Sequence, residues 1–367
     1  MNEWLTAKNI LAMRLDNIGD VIMLGPALRA IKETSPQARL TLLASPAGST
    51  AAPLLPWIDD VITWRTIWQD VGNRIPFDPA RERQLIALLA ERQFDAALVF
   101  TSFSQTPHTP GYVCYLAGIP LRAGESKEFG GSTLTTELRG APEELHQVER
   151  NLRLIERLGF VVRERRLTVA LPEEARRAVP TLLQQAGLTP QQPYLLLHPG
   201  ASAQARRYPV ERFGVIARLL SRRGWPVLVT GIEREAALLE ELRTHAPSAH
   251  CLLGGTSLAE YAALVEHAAL VICNDTLPMH LADAVGTPAV VLFSGTDYEE
   301  QWRPRMIRHQ LLRRSTSCYP CYLFDCPIGQ ACLNIAPEEV VEEIETLLAE
   351  IGVSPAVCQE PTRRTPQ

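Results

Sequence analysis

The sequence lacks the motifs that mark two large classes of nucleotide-binding enzyme. It contains neither Gly-x4-Gly-Lys-Ser/Thr, the phosphate loop of many NTPases, nor Gly-x-Gly-x-x-Gly, the fingerprint of dinucleotide-binding domains. No apolar run approaches the roughly 18–20 residues that a transmembrane helix requires. Lysine occurs only at positions 8, 32 and 127, so nearly all the cations are arginines. These absences argue against an NTPase, a dinucleotide dehydrogenase and an integral membrane protein.

Composition and charge narrow the classes of protein further. The chain has 367 residues, 46% of them hydrophobic, which suggests two domains of moderate size. The formal net charge of −5 gives no indication of nucleic-acid binding. The segment 1–8 carries one cation and no long apolar run follows it, so we expect no secretory signal and a cytoplasmic location.

Apolar strand-like segments alternate with helical segments along the chain. Strands are predicted at Leu11–Leu15, Leu40–Ala44, Ala96–Phe100, Leu195–His198, Val227–Thr230, Leu270–Cys273 and Ala289–Phe293, and helices at Val21–Lys32, Ala80–Arg92 and Pro337–Glu350. This alternation predicts doubly wound parallel sheets of the α/β class. We predict an N-terminal domain over 1–185, a second domain over 190–351 and a disordered tail over 352–367, rich in Pro, Thr and Arg.

The segment 270–293 carries the strongest signal for a ligand site. An apolar strand leads into Asn274-Asp275-Thr276, where a helix begins. Open α/β sheets bind ligands at such a strand end, and the N–H groups and dipole of the helix favour an anion such as phosphate. His280, one turn further on, can face the same ligand. The alternative is an ordinary capped helix with a packed histidine.

A second motif lies near the N-terminus. A short apolar strand runs into Arg-x-Asp-x-x-Gly-Asp, residues 14–20, and a helical pattern follows. Gly19 lets the backbone turn tightly, so the carboxylate of Asp20 can lie at the mouth of a cleft. Asp20 can equally be a helix-start residue without a chemical role.

Two further blocks place polar residues after predicted strands. The loop His-Pro-Gly-Ala-Ser, residues 198–202, precedes Arg206, whose fork of N–H groups suits phosphate oxygens. Another strand leads into a glycine turn followed by Glu233 and Glu235, whose carboxylates can accept hydrogen bonds. A surface glutamate at a helix start is the alternative for both residues.

Taken in order, these four blocks resemble the motifs of glycosyltransferase family 9, the ADP-heptose:lipopolysaccharide heptosyltransferases, over nearly the whole chain. The resemblance implies the GT-B arrangement, in which two doubly wound Rossmann-like domains face each other across a cleft, here with a C-terminal Cys-rich segment and helix. It implies that Asp20 is the catalytic base of an acceptor-side N-terminal domain. It assigns the donor to the C-terminal domain, with candidate contacts from Ser202, Arg206, Glu235 (or Glu233), Asp275, Thr276 and His280. The resemblance implies that the glutamate accepts hydrogen bonds from the ribose hydroxyls of the nucleotide.

The sequence departs from the family motifs at three positions. Arg206 and Tyr208 stand where the family has Lys and Trp, and the arginine agrees with the scarcity of lysine in this chain. Leu277 follows the Asp-Thr pair where the family usually has Gly. A side chain there could narrow the approach to the diphosphate or the sugar, which puts the identity of the donor in question more than the fold.

The resemblance implies an inverting transfer of a sugar from ADP-heptose to a hydroxyl of the lipopolysaccharide core or a related glycan. Asp20 would take the proton of the attacking hydroxyl, and no cofactor would be required for catalysis. The acceptor would be reached by peripheral contact with the inner membrane. Three alternatives stay open: a protein O-heptosyltransferase, a sugar-nucleotide epimerase of the same architecture, and a catalytically silent nucleotide-sugar-binding scaffold.

The acceptor side is less well marked. The polar loop 101–108 follows a strand end and offers hydroxyl, amide and imidazole groups, of which Ser102 and Gln105 are the acceptor candidates. A loop of this composition is also commonly only a loop. The segment 146–158 is predicted to be a surface helix, in which Asn151 is placed by packing.

Four of the eight cysteines form a CxxC-x4-C-x5-C cluster, namely Cys318, Cys321, Cys326 and Cys332. Such clusters in cytoplasmic proteins commonly hold a metal, and four thiolates suit tetrahedral zinc or iron. A metal here would have a structural role. Free or redox-paired thiols are the alternative.

A basic run precedes the cysteines. It extends from Trp302 to His309 and continues at Arg313 and Arg314. Such a run could meet an anionic acceptor at the membrane surface, or it could be a solvated basic face.

Overall fold

Two six-stranded parallel sheets organise the chain, which the computed structural model describes over residues 2–355. Each sheet belongs to its own compact unit, and the division falls between Ala170 and Leu171. The doubly wound α/β class predicted from the alternation of segments is confirmed. In the described residues, no helix is both long and apolar enough to cross a membrane.

The sheet of the first unit has the strand order β3-β2-β1-β4-β5-β6. Its strands are β1 (Asn9–Arg14), β2 (Arg39–Ala44), β3 (Asp60–Thr63), β4 (Ala96–Val99), β5 (Leu121–Glu125) and β6 (Thr136–Leu138). Its helices are α1 (Glu3–Thr6), α2 (Ile18–Ile22), α3 (Gly25–Thr34), α4 (Pro79–Glu91), α5 (His108–Leu116) and α6 (Gln147–Leu158). The central strands β1 and β4 are buried over nearly their whole length, as expected for parallel strands that are covered on both faces.

The predicted helix Val21–Lys32 is wrong in one respect, because the structure has two helices there. The first, α2, ends at Ile22, and α3 begins at Gly25. Pro26 explains the break. It has no N–H, and in a continuous helix its ring would clash with the carbonyl oxygen of residue 22, so the chain restarts with Pro26 in the first turn of α3.

The sheet of the second unit has the strand order β12-β11-β10-β7-β8-β9. Its strands are β7 (Leu195–His198), β8 (Val227–Gly231), β9 (His250–Leu253), β10 (Leu270–Asn274), β11 (Ala289–Leu292) and β12 (His309–Leu312). Its helices are α7 (Glu173–Gln185), α8 (Val210–Arg222), α9 (Ala236–His245), α10 (Leu258–His267), α11 (Leu277–Val285), α12 (Glu299–Trp302) and α13 (Pro337–Glu350). A cluster of buried side chains that includes Leu197, Phe213 and Ile344 forms part of its core.

The predicted domain boundary at 185–190 is too late in the chain. The helix α7, assigned by prediction to the N-terminal domain 1–185, belongs to the second unit. It packs against α10, and Arg176 donates from Nε and Nη2 to the carboxylate of Glu266 at 2.8 and 2.9 Å. A helix held by these contacts cannot belong to the linker or to the preceding unit.

The predicted tail, 352–367, is described only in its first four residues. Val353 packs against the core of the second unit, so this part of the segment is not a solvated tail. Residues 356–367 lie outside the described residues.

Strand order fixes where each unit can bind a ligand. In the first sheet the winding reverses between β1 and β4, and in the second sheet it reverses between β7 and β10. The loops that leave the carboxyl ends of two such strands diverge to opposite faces, and the crevice between them is the usual ligand site of an open α/β sheet. The motifs 14–20 and 198–202 and the run that begins at Asn274 all lie at these two points.

Candidate functional site

At the switch point of the first sheet, the motif 14–20 forms a cluster of three charged side chains. Arg14, at the end of β1, is fully buried. Its Nε lies 3.0 Å from Asp16 Oδ2, and its Nη2 donates to Asp20 Oδ1 at 2.8 Å. One guanidinium therefore holds two carboxylates, and the side chain of Asp20 remains 14% exposed.

Asp20 also caps helix α2, in whose first turn it lies. Its Oδ2 accepts a hydrogen bond from the backbone N–H of Asn17 at 3.2 Å, which completes a capping box for α2. The helix-start role and the cluster role therefore coexist, because the two oxygens of one carboxylate face different donors.

The two acceptor-side candidates of the sequence are joined to this cluster. Ser102 Oγ accepts a hydrogen bond from Arg14 Nη2 at 2.8 Å, and its backbone N–H donates to Gln105 Oε1 at 2.9 Å. Gln105 Nε2 donates in turn to Asp16 Oδ1. The loop after β4 thus meets the loop after β1. The sequence motif contained Arg14 and Asp16 but did not reveal their roles, because an Arg-x-Asp spacing in a strand does not show what the side chains contact.

Burial and the charge of the ion-pair partner shift the pKa values of Arg14 and Asp16 in opposite directions. Burial raises the pKa of Asp16 and outweighs the opposing effect of Arg14. Burial alone would lower the pKa of Arg14, but Asp16 and Asp20 more than offset it and raise that pKa. The cluster is therefore a desolvated ion triad, in which loss of the central guanidinium would leave two carboxylates without their partner.

The predicted surface helix 146–158 is not simply a surface helix. In α6, the polar side chains of Gln147, Arg150 and Asn151 are all buried. Gln147 Nε2 donates to the carbonyl oxygen of Thr101 at 3.1 Å, and Asn151 Nδ2 donates to that of Met23 at 3.3 Å. These side chains support the loops that carry the cluster, which residue spacing could not reveal.

At the switch point of the second sheet, Asp275 and Thr276 lie between β10 and α11. The carboxylate of Asp275 accepts hydrogen bonds from Ser294, from the N–H at 3.2 Å and from the hydroxyl at 2.8 Å. Asp275 therefore accepts from a hydroxyl rather than capping the helix. Thr276 occupies the N-cap position without a side-chain capping bond, and Leu277 is half-buried at the first helical position.

Burial raises the pKa of Asp275 to about 6, although Arg206 and the two bonds from Ser294 act to lower it. Its side chain is only 4% exposed. A buried carboxylate whose pKa is raised by desolvation is typical of functional sites.

Arg206 brings a cation to the same place. It ends a short 3-10 turn, Gln204–Arg206, after β7. Its Nε lies 3.9 Å from Asp275 Oδ2, and its Nη2 donates to Asp297 Oδ2 at 2.6 Å. Asp297 was not among the candidates from the sequence, although it stands in the loop after β11, the strand next to β10.

Asn274, fully buried at the end of β10, ties the loops of this site together. Its Nδ2 donates to the carbonyl oxygen of Pro199 at 2.8 Å, and its Oδ1 accepts from the N–H of Tyr208 at 2.9 Å. A single amide thereby fixes the loop 199–208, which carries Arg206, to the strand that carries Asp275.

The two acidic candidates after β8 have different surroundings. Glu235 Oε2 accepts from the N–H of Ile232 at 3.0 Å and lies 4.0 Å from His198 Nε2. A Cβ on Gly200 would lie 2.2 Å from Glu235 Oε1, so the carboxylate lies directly over the loop after β7. Glu233 lies instead beside Gly254.

The other donor-side candidates are placed differently. Ser202 is exposed in the loop after β7. His280 is buried on α11, and its ring packs edge-on against Trp302, with the ring centroids 6.5 Å apart. His280 therefore makes a packing contact, as the alternative of a packed histidine predicts.

The four clustered cysteines lie in the loop between β12 and α13. Cys332 approaches Gly295, and Cys326 Sγ accepts from the N–H of Gln330 at 3.2 Å. Within residues 2–355, no group of three or more His, Cys, Asp or Glu side chains is close enough together to hold a metal ion. The thiolates do not form the predicted ligand set in this structure, and metal binding stays a prediction from their spacing.

The basic run is largely paired with carboxylates. Arg313 donates to Glu299 at 2.6 Å, and Arg314 pairs with Glu339. The edge strand β12, His309–Leu312, separates the two parts of the run. The run is thus not a continuous patch of unneutralised cations.

Sequence similarity points the same way as the geometry. The family described as "Glycosyltransferase family 9 (heptosyltransferase)" matches residues 83–331. This chain belongs to glycosyltransferase family 9.

Several members of family 9 align with the chain to different extents. Lipopolysaccharide heptosyltransferase 2 of Salmonella typhimurium is 25% identical over 352 residues, which cover 92% of this chain and 97% of that protein. Lipopolysaccharide heptosyltransferase 3 of Escherichia coli is 30% identical over 161 residues, 43% of this chain and 46% of that protein, so the match spans about half of that relative's length. The structure of E. coli ADP-heptose lipopolysaccharide heptosyltransferase II has a TM-score of 0.72 at 22% identity, and the match covers 94% of this chain and 100% of that chain. This likeness shows a shared fold.

Proposed function

We propose that this family 9 protein transfers a heptose from ADP-heptose to a hydroxyl of a lipopolysaccharide core or related glycan. One observation carries the proposal. Arg206 and the start of α11 meet at the switch point of the second sheet, where a helix N-terminus and a guanidinium can together bind a diphosphate. The names of the relatives, which are lipopolysaccharide heptosyltransferases, support the choice of sugar and acceptor.

In the proposed reaction, an acceptor oxygen attacks the anomeric carbon, the bond from that carbon to the phosphate oxygen breaks, and ADP leaves with the bonding electrons. Asp20 takes the proton of the attacking hydroxyl. Arg206 and the first-turn N–H groups of α11 meet the negative charge that develops on the leaving diphosphate. Glu235 accepts hydrogen bonds from the ribose hydroxyls of the donor. No step calls for a metal or another cofactor.

The nucleotide is tested by thermal-shift titration with ADP, UDP, GDP and their sugar conjugates. A ligand at ~100 times its dissociation constant should add about 2.7 kcal/mol of stability. Stabilisation by ADP and ADP-heptose but not by the others is the expected result. Selective stabilisation by UDP or GDP would discard the heptose, and no response to any nucleotide would contradict the proposed function.

The donor role of Arg206 is tested by Arg206→Ala, with Arg223→Ala as the matched control, since Arg223 also pairs with a carboxylate in the same unit. Affinity for ADP should fall in the first variant and stay at the wild-type value in the second. Equal affinities in both variants would remove Arg206 from the site.

The role of Asp20 is tested by Asp20→Asn in a transfer assay with ADP-heptose and a core glycan. Loss of a general base should lower the rate by a factor of about 10²–10⁴ while ADP binding is retained. Asp78→Asn is the matched control, because Asp78 also begins a helix of the first unit and accepts from the N–H of Ala80. If both variants lose activity equally, the effect belongs to helix capping and not to proton transfer.

A further inference from the structure

The guanidinium of Arg206 is held along one edge by two side chains of the loop after β11. Its Nη2 donates to Asp297 Oδ2 at 2.6 Å, and its Nε donates to Thr296 Oγ1 at 3.1 Å. Thr296 Oγ1 in turn donates to Asp297 Oδ2 at 2.8 Å. Two neighbouring N–H groups of the arginine therefore meet a carboxylate and a hydroxyl that are themselves bonded.

This edge is well shielded from solvent. The side chain of Asp297 is 15% exposed, while Thr296 is buried. Ion pairs between exposed side chains contribute little, because water and salt screen them. Charge-assisted bonds with this geometry at a shielded position are stronger and fix the direction of the planar group.

Asp297 is an unexpected residue to find beside a site for an anion. With Asp275, it places two carboxylates around one cation. Each carboxylate repels a diphosphate through Coulomb's law, so on charge alone Asp297 would weaken binding of the proposed donor. Its presence is explained if the orientation that it gives to Arg206 contributes more than this repulsion costs.

Orientation has a definite value for an arginine. The free side chain has many rotamers, and ordering such a side chain is part of the cost of binding a ligand. A guanidinium that is already held before the donor arrives does not incur that cost again.

We infer that Asp297, together with Thr296, is a positioning residue that holds the guanidinium of Arg206 in the orientation that receives the donor's diphosphate. The inference rests on the proposed function, in which Arg206 binds that diphosphate. Asp297 acts through Arg206, so its favourable effect on donor binding must vanish when Arg206 is removed.

A double-mutant cycle on ADP affinity tests this requirement. Dissociation constants are measured by calorimetry on the full chain for wild type, Asp297→Ala, Asp297→Asn, Arg206→Ala and the double variant with alanine at both positions. Asp297→Ala should weaken ADP binding about tenfold, which corresponds to ~1.4 kcal/mol. Asp297→Asn keeps an oxygen that accepts from Arg206 and should therefore lie between wild type and Asp297→Ala. The double variant should bind ADP no more weakly than Arg206→Ala does, because without the arginine only the repulsion between Asp297 and the diphosphate remains to be removed.

Glu299→Gln is the matched control. Glu299 lies close to Asp297 in the sequence and pairs with Arg313 at 2.6 Å, at comparable exposure. Its loss removes an ion pair of the same kind and should leave ADP affinity at the wild-type value. Circular dichroism and thermal midpoints of all variants check that a change in affinity does not come from unfolding.

Two results would overturn the inference alone. If Asp297→Ala binds ADP as tightly as wild type or more tightly, the carboxylate only competes with the phosphate for Arg206. If Asp297→Ala weakens binding by the same factor with and without Arg206, it acts on the fold or on the ligand and not through the arginine. If wild type binds no nucleotide, the proposed function fails and takes the inference with it.

Discussion

Replacing Asp275 by asparagine should make the second unit more stable at neutral pH. The pKa of Asp275 is raised by burial to about 6, against an ordinary value of 3.8. Asparagine has nearly the same shape, and its amide oxygen can accept from the N–H of Ser294 while its NH2 donates to the Ser294 hydroxyl oxygen. It carries no charge to desolvate. The carboxylate is therefore retained at a cost in stability, which is typical of a residue kept for function.

The size and sign of the effect follow from the difference in pKa. The interval between 3.8 and about 6 corresponds to about 3 kcal/mol of differential stability between the two protonation states. Below the unfolded-state pKa, the carboxyl is protonated in both states and costs nothing. As the pH rises through this interval, the unfolded chain releases its proton before the folded chain does, so stability falls. Above pH of about 6, the full cost is present.

The assay is urea unfolding of wild type and Asp275→Asn at a series of pH values between about 4 and 8. The variant should match wild type near pH 4 and exceed it by up to about 3 kcal/mol at pH 7.5. Asp325→Asn is the control, because Asp325 is exposed and its replacement should give no pH-dependent difference. Donor binding should change in Asp275→Asn although the fold is more stable.

Two outcomes would refute the reasoning about Asp275. Parallel stability curves for the variant and wild type would mean that the carboxylate is not desolvated in the folded protein. A variant that is less stable at every pH would mean that its contacts with Ser294 and Arg206 need the charge.

Two further predictions concern the other clusters. Arg14→Met should destabilise the first unit by about 3–5 kcal/mol in a denaturant titration, because it leaves Asp16 and Asp20 buried without their cation; a change under about 1 kcal/mol would show that water replaces the arginine. Gly200→Ala should leave the unfolding midpoint nearly unchanged but weaken ADP binding in calorimetry, because the added Cβ would lie 2.2 Å from Glu235 Oε1 and must displace that carboxylate. Unchanged ADP affinity in Gly200→Ala would remove Glu235 from the nucleotide site.

The sequence was sufficient to predict the strands and helices that have a strong hydrophobic pattern. β7 and α13 lie where the apolar pattern predicts them, and β10 differs from its prediction by one residue. These segments are buried on both sides or carry a regular apolar stripe, so local composition already reflects their environment. The edge strand β12 was not predicted, because its residues are only half-buried and it lies between the two parts of the basic run.

The candidate site was predicted in part. Motif resemblance pointed to Asp20, Arg206 and Asp275, and each lies at a switch point of its sheet. Asp297 and Asn274 were missed as site residues. Their partners lie 91 and 66 residues away in the sequence, and only the order of the strands brings them together.

The sequence by itself determined the class of the fold, the family and the residue types at the ends of the strands. Hydrophobic periodicity, glycine turns and the order of the motifs are local properties of the chain. Only the tertiary structure decided which charged side chains lie close enough to form ion pairs. Arg14 joins Asp16 to Asp20, and Arg206 faces both Asp275 and Asp297. Electrostatic energy depends on distance and burial in space, and neither can be read from separation along the chain.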